Sequence, residues 1–154
     1  MNAPIRVKPH HLIDIITEYG AGRETFKPDA YGTAVHAVAN HVLAHREARL
    51  VMELGADAIC APCCNNEDGV CTDTIDTSFR PEAPESKREW NLLIDHRWCE
   101  RIGLRENDEL TARAFCARVR DRMGDITDIY REIPAEMTAK RARNLAAGLD
   151  RFLV

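Results

Sequence analysis

Four of the chain's six cysteines fall within residues 60 to 71, in the run Asp57-Ala-Ile-Cys60-Ala-Pro-Cys63-Cys64-Asn-Asn-Glu-Asp-Gly-Val-Cys71. Packing of cysteine as a small core residue does not produce such a concentration. The surrounding segment, 55 to 73, is rich in Gly, Pro, Asn and Asp, a composition for an irregular loop organised by something other than a strand ladder. In a C-x2-C pair the two-residue gap lets both sulfurs turn toward one point, and main-chain N–H groups between them stabilise the thiolates. Pro62 stiffens that turn. Asp68-Gly69 supplies a second reversal that returns Cys71 to the same centre, so Cys60, Cys63 and Cys71 can converge. A zinc ribbon has two complete C-x2-C knuckles; this chain has one plus a later cysteine.

A disulfide framework is not the expectation. The opening MNAPIRVKPHHLIDII lacks the apolar run of a signal peptide, and nowhere do about eighteen consecutive apolar residues occur. A cytoplasmic setting is expected, where the thiol pool keeps cysteines reduced and metal binding or redox chemistry becomes the better reading. A thioredoxin-type pair would open a helix after a buried strand, whereas Asn, Asn, Glu, Asp and Gly follow Cys64. Lys and Arg total 21 against 25 Asp and Glu, a formal charge of −4 without a basic stripe, which argues against nucleic-acid binding.

With 154 residues, 45% hydrophobic and 30% charged, a single domain with one core is expected. The fold class reads as mainly α: a compact helical domain with a short two-stranded pair and an irregular Cys-rich metal-binding loop. Ile5 to Lys8 alternate as a strand, and Pro9 suits the first turn of a helix through His10 to Tyr19 closed by Gly20. A longer helix is expected from about Asp29, as its cap, to Arg46, and a short strand within Ala48 to Leu54 paired with Ile5 to Lys8. Three more helices follow: one capped by Ser86 and stopped at Gly103, one after Asn107 ended by Gly124, and one from Pro134 with Lys140, Arg141 and Arg143 facing outward.

Pro9-His10-His11-Leu12, Asp57-x-Ile-Cys60-x-x-Cys63, Gly69-x-Cys71, Ile75-Asp76 and Ile102-Gly103-Leu104 resemble the landmarks of a small uncharacterised prokaryotic family of suspected iron-sulfur proteins that open with R-P-H-H-L-L-C. The likeness runs from roughly Arg6 to Met123. It implies one iron-sulfur cluster held by Cys60, Cys63 and Cys71. Where the family has cysteine after H-H-L-L this chain has Asp14, and where proline commonly follows the second loop cysteine it has Cys64. The cysteine group many members carry near the C-terminus is absent from 125 to 154, so a second cluster is not expected.

The fourth ligand is therefore open. Cys64 is nearest, although adjacent side chains tend to diverge. Asp14 takes the family's ligand position and, on a helix, lies at i+4 from His10 and i+3 from His11. A carboxylate holds iron less firmly than a thiolate, so with Asp14 as ligand the iron could exchange for substrate, with His10 and Asp14 as catalytic groups. His10 and His11 also read as a helix-start pair that bonds backbone and partly fills the core. Cys99 ranks third, and Cys116 falls on an apolar stripe. His41 and His45, at i and i+4, lack the following Glu of a protease helix and read as hydrogen-bonded core-edge histidines. No phosphate loop or nucleophile elbow is present.

The function implied is electron transfer, or catalysis at a labile iron, with a redox partner protein or a small-molecule substrate and with neither nucleic acid nor membrane. The rivals are a structural zinc site in an interaction protein and a thiol-based redox enzyme or sensor using Cys60, Cys63 or Cys64.

Overall fold

The computed structural model describes residues 3–154. Among the described residues five helices, a three-stranded sheet and a two-stranded hairpin build one mostly helical body around a hydrophobic cluster. In chain order they are β1 (Ile5–Val7), α1 (Pro9–Gly20), α2 (Val35–Ala44), β2 (Arg49–Met52), β3 (Asn66–Glu67), β4 (Val70–Cys71), α3 (Lys87–Ile102), β5 (Glu109–Thr111), α4 (Ala112–Arg122), a single 3₁₀ turn (Ile126–Asp128) and α5 (Ala135–Phe152). Among the described residues no helix is long and apolar enough to cross a membrane.

The pair expected between the first segment and residues 48–54 forms: β1 runs parallel to β2, with Ile5 opposite Leu50 and Val7 opposite Met52. On the other edge of β2 lies β5, antiparallel, with Leu110 opposite Leu50. Val7, Leu50 and Met52 are fully buried, so the strand backbones reach into the core and fix where their C-terminal ends emerge. Those ends carry Lys8 and Glu53, and the site is built just beyond them.

α1 is buried through Leu12, Ile13, Ile15 and Ile16, and its most extensive helix contact is with α5. The two backbones touch where side chains are missing. A methyl group at Gly148 would lie 2.0 Å from the Ile16 carbonyl oxygen, and one at Gly20 1.8 Å from that of Asn144. α3 buries Trp90, Ile94, Trp98 and Ile102, is capped by Ser86 accepting from the Glu89 N–H at 3.2 Å, and stops at Gly103 with φ +70°. The Trp98 indole donates to the Tyr130 hydroxyl at 2.9 Å. Tyr130→Phe leaves that buried N–H without an acceptor and should cost about 2 kcal/mol, read as a lower denaturation midpoint at unchanged slope.

Three expectations are corrected. Asp29 does not cap α2; its carboxylate accepts from the Tyr31 and Thr33 N–H groups at 3.1 Å, closing a turn through Gly32 at φ +73°, and the helix begins only at Val35. The helix after Asn107 is preceded by β5. Asn107 is left-handed at φ +72°, and Thr111 then caps α4 by accepting from the Ala114 N–H at 3.0 Å. Arg141 does not face outward. It pairs with Asp14 at 2.7 Å and lies over the Tyr130 ring at 4.6 Å, while Lys140 and Arg143 are exposed.

Candidate metal centre

Asp57 is the hub of the site. It follows β2, is 3% exposed, and receives three donors. Its Oδ2 accepts from the Lys8 N–H and from His11 Nδ1, both at 2.7 Å, and its Oδ1 from the Cys60 N–H at 2.9 Å. One carboxylate thus ties the start of α1 to the first loop cysteine. Because a carboxylate can only accept, Nδ1 of His11 carries the proton and Nε2 keeps a free lone pair. Burial and the neighbouring His10 hold His11 below the usual histidine range despite Asp57, which favours the neutral imidazole a metal requires. Three donors also hold the Asp57 carboxyl far below the usual carboxylate range against the cost of its burial.

His10 makes a parallel arrangement with α3. Asp95, fully buried, accepts from the His10 backbone N–H at 2.8 Å and from its Nδ1 at 2.9 Å. Burial opposes charging of His10, but the Asp95 carboxylate outweighs it and raises the imidazole above its ordinary value. The His10 and His11 rings lie 4.4 Å apart, each with its own aspartate.

The reversal expected at Asp68-Gly69 forms, but among the described residues the group of donors within 4.8 Å of one another, His11, Asp57 and Cys60, includes neither Cys63 nor Cys71. β3 and β4 form a hairpin, Asn66 opposite Cys71 and Glu67 opposite Val70, around Asp68 and Gly69 with φ +52° and +85°. That is the turn for which an Asp-Gly pair is suited. Before it, the Cys63 N–H bonds the Cys60 carbonyl at 2.9 Å, and the Asn65 N–H points at Cys63 Sγ at 3.4 Å. The Asn65 N–H is the kind of donor that stabilises a thiolate ligand.

Cys60, Cys63, Cys71 and His11 line one cavity of about 550 Å³, walled also by Val35 and Ile59. The donor atoms of His11, Asp57 and Cys60 lie within 4.8 Å of one another. On the same wall Asn66 keeps a buried side-chain oxygen with no hydrogen-bond partner among the described residues. Three thiols and a neutral imidazole are a donor set that fits zinc or an iron-sulfur cluster. Comparisons with protein-family models, with curated proteins and with solved structures find no match. The chemistry is therefore read from these side chains.

The other sequence candidates lie elsewhere. Cys64 is exposed and off the cavity wall; its N–H bonds the Tyr31 carbonyl at 2.8 Å. Asp14 and His10 line a neighbouring cleft, not the cavity. Cys99 and Cys116 are buried, the former pushed up to about 11 and the latter to about 12 by burial. His41 and His45 stack with ring centroids 4.5 Å apart at the end of α2. In the sequence His11 reads as a neighbour of Asp14 or as half of a helix-start pair, and Asp57 reads as a landmark of the loop. The signal was an aspartate three residues before the first cysteine, but its partner is 46 residues away.

Proposed function

We propose that this chain is an iron-sulfur protein whose cluster is held by Cys60, Cys63, Cys71 and Nε2 of His11, and that it serves electron transfer or chemistry on a small molecule bound beside the cluster. The observation that carries this reading is the single cavity bordered by the three loop sulfurs and the aspartate-oriented imidazole. A histidine ligand usually donates its other ring N–H to a carboxylate, as His11 does to Asp57. Burial and the nearby Asp57 carboxylate push the Cys60 thiol up to about 11, which makes Cys60 a poor free nucleophile.

When bound, such a cluster supplies one-electron chemistry at a potential that imidazole ligation raises relative to thiolate. The protein's part is to orient His11 through Asp57, present the Asn65 N–H to the Cys63 sulfur, and shield the centre with Val35 and Ile59. The ligand assignment is tested by iron and sulfide content of anaerobically purified variants. His11→Ala and Cys71→Ser should retain less than about a fifth of the wild-type iron, and Cys64→Ser and Asp14→Asn nearly all of it. Loss in Cys64→Ser with retention in His11→Ala would overturn the assignment.

A further inference from the structure

Lys8 links the end of β1 to the start of α1, and its main chain is fixed from both sides. Its N–H donates to Asp57 Oδ2 at 2.7 Å, and its carbonyl accepts from the His11 N–H at 3.0 Å. The side chain lines the same cavity as Cys60 and His11 and is only 4% exposed. Lysine stems normally carry their ammonium out to water. This one is held inside.

The other charges buried here are matched, Asp95 with His10 at 2.9 Å and Asp57 with His11 at 2.7 Å. The Lys8 ammonium has no hydrogen bond or ion pair among the described residues. Two carboxylates on the cavity wall are engaged elsewhere: Asp29 accepts from the Tyr31 and Thr33 N–H groups, and Glu106 from the Leu54 N–H at 3.2 Å. The charge of Lys8 is nevertheless felt by the metal-ligating side chains. Burial and Asp57 push the Cys60 thiol up, and Lys8 pulls the other way. Burial, His10 and, more weakly, Lys8 hold His11 below its usual range.

A buried cation is costly unless negative charge stands beside it. The cysteines of this cavity supply that charge when they bind metal. Three thiolates outweigh the charge of a divalent ion or of an oxidised iron-sulfur core, and reduction adds a further electron to an already negative centre. We propose that Lys8 is the counter-charge of the metal centre, a buried positioning residue whose ammonium offsets the excess negative charge of thiolate-bound metal and favours its reduction. In taking this cavity as the metal centre the inference rests on the ligand set proposed above; it does not depend on which metal fills it.

The test begins with the full-length chain, freed of metal, reduced and titrated with cobalt(II), whose absorption reports sulfur ligation. Lys8→Met, which keeps the stem and removes the charge, should bind cobalt about tenfold more weakly than wild type. Lys8→Arg should stay within about threefold of wild type. Arg88→Met removes an exposed cation from the rim of the same cavity and should cost less than about twofold. A merely structural lysine is separated by the urea midpoint of the metal-free chains, which for Lys8→Met should equal or exceed that of wild type, because a buried unpaired charge has been removed. On iron-loaded protein Lys8→Met should lower the reduction potential by about 59 mV, a tenfold change in a one-electron equilibrium.

Unchanged cobalt affinity in Lys8→Met, an equal loss in Arg88→Met, a lower metal-free midpoint, or an unchanged or higher potential would each overturn the proposal. Brown protein whose potential and cobalt affinity ignore Lys8→Met sinks the counter-charge alone. Protein that never takes up iron and sulfide, yet loses cobalt affinity in Lys8→Met, sinks the cluster alone.

Discussion

Asp57→Ala is expected to abolish metal retention and to lower folding stability by about 3 kcal/mol. The substitution strips the acceptor from two buried backbone N–H groups, those of Lys8 and Cys60, and releases the His11 ring. Each unpaired buried donor carries a desolvation cost of about 1–3 kcal/mol. The free imidazole then rotates or exchanges its proton between nitrogens, so the ligand lone pair no longer faces the cavity. Asp57→Asn recovers only part of this. An amide has one acceptor oxygen, so its NH₂ must confront either the Cys60 N–H or the Lys8 and His11 donors. Urea denaturation with metal analysis of both variants checks the order wild type, then Asn, then Ala. Equal stability of the three chains would remove Asp57 from its place as the hub.

The second large effect is remote from any sulfur. Gly148→Ala, at an ordinary helix interior position, would gain about 1 kcal/mol from helix propensity. Here the added methyl lies 2.0 Å from the Ile16 carbonyl oxygen and 2.9 Å from its carbon, both backbone atoms that cannot swing aside. α1 and α5 must separate, and overpacking of this kind costs about 1–3 kcal/mol or more. Because α1 carries His10 and His11 on its first turn, the displacement should also weaken metal retention. A thermal melt of Gly148→Ala beside Ala147→Gly, an exposed neighbour on the same helix, separates the two causes. The first should fall well below wild type. The second should fall only by the propensity difference.

The helices were legible because burial repeats with the helical period. Trp90, Ile94 and Trp98 on α3, Phe115, Cys116 and Val119 on α4, and Leu145, Leu149 and Phe152 on α5 stand at spacings of three and four, and all are buried. The strand pair was legible in the alternation of Ile5 to Lys8 and of Leu50, Met52 and Leu54. The hairpin turn before Cys71 was legible in Asp68-Gly69. Other features leave no local trace. β5 is three residues long and exists because Leu110 finds Leu50 across the sheet. The late start of α2 depends on the turn that Asp29 closes over Gly32. Arg141 and Asp14 are 127 residues apart, and His11 and Asp57 are 46 apart, so neither pair shows any spacing in the chain. Polar partners across such distances are chosen by the fold.

The proposal under test is an iron-sulfur cluster held by three loop sulfurs and one imidazole. Absorption spectroscopy with iron, sulfide and zinc analysis on anaerobically purified protein tests it most directly. The expected result is a brown protein with broad visible absorption, iron and acid-labile sulfide in comparable amounts, and bleaching on reduction. A colourless protein with stoichiometric zinc, or with free thiols and no metal, would contradict it.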